Sequence, residues 1–156
     1  SIWEGGLVSY WAIVGGLLVA WWLFLSRPKS ERAAWFNSLL IAAALGWGIG
    51  RIGNYYAGDS IGTVNPVWSA FYGRVPIQLW EAALCFGLVL LFQGRRLASI
   101  RTGLLLLILY FAGRFVIDFW RDEKIWLGLH LSQWVSLMVA LLLASLLVTL
   151  KKRKPV

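Results

Sequence analysis

Four ionisable side chains stand inside or at the edge of apolar runs in this chain: Arg51, Glu81, Arg114 and Asp118. A charge at the centre of a hydrocarbon layer costs about 2.5–3.5 kcal/mol on insertion scales, so such groups persist where they are paired, hydrated or used. Arg114 and Asp118 are spaced i, i+4 and share one helical face. Gln78 stands one turn before Glu81. Two arginines and two carboxylates at a common depth predict a polar cavity, and the planar fork of arginine matches a phosphodiester bidentately. The competing reading makes Arg114–Asp118 and Arg51–Glu81 structural ion pairs that fix helix register without adding net stability. For Glu81 and Asp118 both readings stand; for Arg51 and Arg114 the expectation is substrate contact.

Residues 46–62 add a second signal. Six glycines (Gly46, Gly48, Gly50, Gly53, Gly58 and Gly62) surround Arg51, Asn54 and Asp59 directly after the apolar run Ser38–Leu45. Glycine weakens a helix and bares its backbone, so this density needs a reason. Close helix packing accounts for the glycines and leaves Arg51 and Asn54 unexplained. A bulky anionic ligand approaching backbone amides accounts for all of them.

These groups must be positioned by apolar elements. The 156-residue chain is 60% hydrophobic, only 14% charged and holds eleven tryptophans; its mean hydropathy is +0.71. That composition excludes an ordinary soluble domain and predicts an all-α, polytopic integral membrane protein with aromatic interface belts. The net charge of +8 does not indicate nucleic acid, because the basic residues cluster in short segments between apolar runs. The single cysteine, Cys85, rules out an intramolecular disulfide or a cysteine metal cluster and reads as a packing residue. There is no Walker loop, no G-x-S-x-G and no H-E-x-x-H. His130 reads as a satisfied boundary residue, Tyr10 and Trp11 as packing aromatics, and Ser132 and Gln133 as bonding between helices.

Five runs approach the length needed to cross a bilayer: roughly 7–25, 34–49, 77–92, 102–120 and 131–150, with a loop over 55–76. Ten basic residues (Arg27, Lys29, Arg32, Arg95, Arg96, Arg101, Lys151, Lys152, Arg153 and Lys154) alternate to one side. The positive-inside rule then gives an outside N-terminus and an inside C-terminus, and it puts Arg51, Gln78, Glu81, Arg114 and Asp118 in the outer half of the membrane. The opening Ser1-Ile2-Trp3-Glu4-Gly5-Gly6 lacks a charged leader and predicts the continuation of a longer protein, truncated at its N-terminus.

Several motifs together resemble one family. Gly50-Arg51-Ile52-Gly53-Asn54-Tyr55-Tyr56-Ala57-Gly58-Asp59-Ser60-Ile61-Gly62 is similar to the signature G-R-I/L-G-N-F/Y-x-N-G-E-x-x-G of the prolipoprotein diacylglyceryl transferases. Pro76-Ile77-Gln78-Leu79-Trp80-Glu81 resembles their P-S/T-Q-L-Y-E. The run Arg114-Phe115-Val116-Ile117-Asp118-Phe119-Trp120-Arg121 resembles R-F-x-x-E-F-F-R, and Ser132-Gln133-Trp134-Val135-Ser136 resembles G-Q-x-x-S. Trp3-Glu4-Gly5-Gly6-Leu7 is similar to W-x-G-G-M/L. The motifs occur in family order over nearly the whole chain.

The resemblance implies a multi-pass enzyme of the bacterial inner membrane with seven spans, the last five matched here. It would move the diacylglyceryl group of phosphatidylglycerol to the thiol of a prolipoprotein lipobox cysteine, releasing glycerol 1-phosphate and leaving a thioether. No metal or organic cofactor is implied. The resemblance maps essential arginines onto Arg51 and Arg114 and an asparagine onto Asn54. Gly50, Gly53, Gly58, Gly62 and Gln78 complete the expected lipid site. Tyr10, Glu81 and Asp118 are the candidates to accept the thiol proton. The family's F-H-G-G is here Ser9-Tyr10-Trp11-Ala12, its N-G-E is Ala57-Gly58-Asp59, its histidine before P-S/T-Q is Val75, and its glutamate after R-F is Asp118. Two other classes compete with transfer: a catalytically inactive lipid-binding scaffold that keeps the arginine cleft, and a small transporter using the Arg114–Asp118 pair, for which the sequence carries no broken-helix repeat signal.

Overall fold

The computed structural model of the chain describes residues 7–59, 62–71, 73–93 and 99–152; side chains at 7–14, 17, 69–71 and 151–152 fall outside that description. Helices dominate: α1 (Leu7–Ser26), α2 (Arg32–Ala57), α3 (Ile77–Phe92), α4 (Ile100–Ile117) and α5 (Leu131–Lys152). Among the described residues, Arg32–Ala57, Ile100–Trp120 and Leu131–Leu150 are long and apolar enough to cross a membrane, and Ile77–Phe92 is a shorter apolar helix. The sequence expectations at Trp3-Glu4-Gly5-Gly6, Ser60-Ile61, Arg95, Arg96, Arg153 and Lys154 lie outside the described residues.

Each helix stops for a local reason. Arg32 donates from Nη2 to the Leu25 carbonyl at 2.9 Å and from Nε to the Arg27 carbonyl at 3.0 Å, satisfying acceptors that the end of α1 leaves open. Helix α2 runs through the glycine-rich signature and ends at Gly58, whose φ of 74° is left-handed. The Asp59 N–H reaches back to the Asn54 carbonyl at 3.0 Å and the Gly58 N–H to Tyr55 at 3.3 Å, a Schellman arrangement that a Cβ at Gly58 would strain. Helix α4 tightens into a 3₁₀ turn over Asp118–Trp120.

Among the described residues the chain departs from all-α at a hairpin and at two isolated bridges, Gly62 with Arg121 and Val64 with Arg74. Ile125–Trp126 (β1) pairs antiparallel with Leu129–His130 (β2). Leu127 and Gly128 both have positive φ, 49° and 84°, the backbone that a two-residue hairpin turn needs to match strand twist.

Helices α2 to α5 pack as a bundle, with α3 and α4 central and α1 lying chiefly on α2. Glycines permit the closest crossings. A Cβ on Gly103 of α4 would collide with Asn37 of α2, one on Gly113 would reach Leu84 of α3 at 2.7 Å, and one on Gly48 would reach Phe86 at 2.9 Å. Between these crossings Leu88, Phe92 and Leu106 form one buried cluster, and Val75, Ile77 and Ile117 form another. At one end Asn37 donates to the Ser99 carbonyl at 2.8 Å and Arg101 to the Leu150 carbonyl at 3.0 Å. The opposite end, where α2 and α4 finish and α3 and α5 begin, holds the charged residues.

Candidate functional site

Arg51, near the end of α2, and Glu81, on the first turns of α3, meet as an ion pair. Glu81 is the hub. Its carboxylate also takes Arg114 from α4 at 3.2 Å and Arg121, just beyond the 3₁₀ turn, at 3.2 Å. Asp118 is the second anion, pairing with Arg121 at 3.0 Å and with Arg114 at 3.7 Å. Glu81 and Asp118 are 1% and 0% exposed, so the pairs lie in a medium that screens them little. Arg51 is also held over the ring of Trp47, 4.9 Å from its centroid. Two buried guanidiniums, Arg51 and Arg121, and the partly buried one of Arg114 thus face two buried carboxylates. A third carboxylate, Glu123, pairs with Arg121 at 3.0 Å from a position 44% exposed.

The structure brings Arg51, Glu81, Arg114 and Asp118 into one network and adds a residue the sequence expectations left out. Arg121 follows Asp118 by three positions and Arg114 by seven, so a helical continuation puts all three on one face. The apolar run ends before it, so it does not stand out as a charge inside such a run. Tyr110 was missed too; its hydroxyl accepts from Arg114 at 3.4 Å one turn away, a role hidden because an aromatic in an apolar helix reads as core.

Other expected residues have different surroundings. Gln78 is buried and donates to the Asp59 carbonyl at 2.6 Å, tying α3 to the end of α2. Gly62 forms a bridge with Arg121, and a Cβ there would collide with the Val75 carbonyl. Gly50 and Gly53 meet nothing within 4 Å among the described residues, and Gly58 serves the helix stop. Asn54 is half-buried on α2. Tyr10 lies on α1 with its side chain outside the described residues. Gln133 does bond between helices, donating to the Phe115 carbonyl at 3.1 Å and accepting from the His130 N–H at 2.9 Å.

The loop between α2 and α3 is stapled over this end. The Thr63 N–H donates to the Trp120 carbonyl at 2.8 Å. Arg74 donates to the Gly62 carbonyl and to Asp122, each at 3.0 Å. Trp68 from the loop stacks edge-on against Trp80, and Trp80 against Trp120, with centroids 5.5 and 5.4 Å apart. The segment carrying Arg121 is therefore fixed from both sides.

A cavity of about 660 Å³ lies between α2, α3, α4 and α5. Leu40, Leu88 and Leu106 make it apolar toward the middle of the bundle, and Tyr110, Arg114 and Arg121 line its charged end. Glu123 is on its wall, whereas Glu81 and Asp118 are not. The shape and charge suit a molecule with one anionic end and a long hydrocarbon body. Among the described residues no group of His, Cys, Asp and Glu is placed to hold a metal ion.

The comparisons with known proteins agree with this chemistry. The model of the prolipoprotein diacylglyceryl transferase family matches residues 1–149. A phosphatidylglycerol–prolipoprotein diacylglyceryl transferase of Chloroherpeton thalassium is 30% identical, covering 88% of this chain and 58% of its own length. One from Tolumonas auensis is 34% identical over 80% of this chain and 53% of its own. Transferase 1 of Streptomyces coelicolor is 35% identical over 99% of this chain and 49% of its own. The chain thus spans about half the length of the curated relatives it matches. No solved structure matches. The chain belongs to the prolipoprotein diacylglyceryl transferase family.

Proposed function

We propose that this member of the prolipoprotein diacylglyceryl transferase family moves the diacylglyceryl group of phosphatidylglycerol to the cysteine thiol of a prolipoprotein lipobox, the first step of lipoprotein maturation. The observation that carries the reading is the pair of guanidiniums, Arg114 and Arg121, on the wall of a cavity lined mainly by apolar side chains, in a network that Arg51 joins through Glu81. The third carboxylate, Glu123, is the exposed one; it shares that wall and pairs with Arg121. A phosphodiester in the cavity competes with that exposed carboxylate for the guanidiniums, and arginine forks bind its oxygens bidentately.

The reaction follows from that placement. The peptide thiol attacks the glycerol carbon as the thiolate, its nucleophilic form. The S–C bond forms as the C–O bond to phosphate breaks. The phosphate oxygen keeps the electron pair and leaves as glycerol 1-phosphate. Preorganised guanidiniums stabilise that developing charge. Asn54 and the exposed backbone at Gly50 and Gly53 orient the glycerol, while Gly58, Gly62 and Gln78 hold the loop around it. Of the candidate bases, Glu81 and Asp118 are enclosed by arginines, which leaves Tyr10 from the original set. Glu123 is the carboxylate on the cavity wall and joins Tyr10 as a proton acceptor.

The cell setting belongs to the same proposal. Five spans, an outside N-terminus and an inside C-terminus in the bacterial inner membrane put the arginines at the outer leaflet, where a secreted prolipoprotein presents its lipobox. The loop over 55–76 then faces outward, and membrane lipids surround the bundle. A scaffold that binds lipid without catalysis draws on one observation, that every arginine already has a carboxylate partner. Incubation with acyl-labelled phosphatidylglycerol and a lipobox peptide separates the two: transfer puts label on the peptide thiol, whereas a scaffold holds the lipid intact.

A further inference from the structure

We propose that Ser132 and Ser136 form a hydroxyl subsite in the cavity that donates hydrogen bonds to the ester carbonyls of a bound diacyl lipid, an inference resting on the reading that such a lipid occupies the cavity. Both residues lie on the first turns of α5 at i, i+4 spacing, so one face carries both about 6 Å apart along the axis. Both line the cavity, as do Leu40 and Trp47 of α2. Their Oγ atoms are buried and have no hydrogen-bond partner, and Ser136 is 1% exposed.

A serine in an apolar helix normally satisfies itself by bonding back to a carbonyl of the preceding turn. This same helix does so twice. Ser145 donates to the Leu142 carbonyl and Thr149 to the Leu146 carbonyl, each at 2.7 Å. Ser136 has a preceding turn and does not use it, Ser132 stands on the first turn with none behind it, and an unmade bond in a low-dielectric setting is costly. Acceptors must therefore come from what fills the cavity. Its charged end is set by Arg114 and Arg121 and its far end by leucines. Between phosphate and hydrocarbon a diacyl lipid has two ester carbonyls, strong acceptors with no proton to give. Hydroxyl donors on the cavity wall match them. An ether-linked lipid of the same headgroup and chain length has no carbonyl there.

The test is a binding titration of the detergent-solubilised chain by native mass spectrometry with four lipids: phosphatidylglycerol and phosphatidylcholine, each in dioleoyl ester and dioleyl ether form. The ester forms should bind about two- to tenfold more tightly than the ethers, the range a neutral hydrogen bond supports. The Ser132→Ala/Ser136→Ala pair should reduce that ratio to one by weakening the esters alone. Equal binding of ester and ether by the starting chain, as expected if water fills the subsite, overturns the inference. So does an ester preference that survives the double substitution, or binding of neither form. Headgroup preference reads the arginines separately: an ester preference without any preference for phosphatidylglycerol leaves the serine subsite standing and sinks the headgroup assignment.

Discussion

Glu81 is the most consequential side chain in the charged network, and replacing it isolates what the network does. In Glu81→Gln the shape is nearly kept and one negative charge is removed. Arg114 and Arg121 then share Asp118, Arg121 keeps Glu123 at the exposed rim, and Arg51 loses the carboxylate it pairs with. Breaking a buried ion pair by neutralising one partner costs about 3–5 kcal/mol, because the other charge is left uncompensated. Glu81 is 1% exposed and touches Arg51, Arg114 and Arg121, so the full range applies. Removing one cation as well should restore the balance of charge. Glu81→Gln/Arg121→Gln should be less destabilised than the sum of the single variants, with a coupling of about 0.5–3 kcal/mol. Unfolding of the purified chain in mixed micelles by increasing sodium dodecyl sulfate, followed by tryptophan fluorescence, measures all four proteins. A Glu81→Gln midpoint equal to that of the starting chain, or strict additivity in the double variant, refutes the claim that Glu81 balances these arginines.

Further outcomes follow from the same geometry. Arg114→Ala should lower phosphatidylglycerol-dependent transfer about 10- to 150-fold, the equivalent of about 1.5–3 kcal/mol for a charged hydrogen bond. Arg114→Lys should rescue little, since the fork is lost; full activity of the lysine variant in a transfer assay would make the residue structural. Gly62→Ala should cost about 1–3 kcal/mol by forcing the loop off the Val75 carbonyl, read as a lower unfolding midpoint and contradicted by an unchanged one. Glu123→Gln should slow transfer with lipid binding retained if Glu123 accepts the thiol proton, and an unchanged rate would remove it from that role. A reporter fused after Arg96 or after Lys154 should read cytoplasmic and one inserted near Asn65 external; an external reading at Arg96 would invert the proposed orientation.

The charged network was legible in outline because charge in an apolar run is rare and each instance is conspicuous. Arg51, Glu81, Arg114 and Asp118 were found in that way, without knowledge of which helices are neighbours. Arg121 escaped because the same signal fades where hydrophobicity ends, even though its spacing from Asp118 fits one face. The glycines were harder to sort. Gly48 packs against Phe86 and Gly62 against Val75, whereas Gly50 and Gly53 meet no described neighbour, and composition alone does not distinguish these cases. The helix also continues through this segment to Ala57. The per-residue penalty of glycine, about 1 kcal/mol, is overridden there by tertiary packing. The hairpin at 125–130 left no trace in periodicity, since two-residue strands are too short to alternate and Leu127-Gly128 is not a standard turn pair.

The proposal that matters most is that Arg51, Arg114 and Arg121 serve phosphatidylglycerol chemistry. The most direct test incubates membranes carrying this chain, and lacking any other transferase, with acyl-labelled phosphatidylglycerol and a lipobox peptide, then weighs the peptide. The account predicts a peptide heavier by one diacylglyceryl group, attached as a thioether to its cysteine, and no such product from Arg51→Ala or from a peptide whose cysteine is replaced by serine. A peptide left unmodified by a folded chain that binds the lipid, or one modified equally by the Arg51→Ala variant, would contradict it.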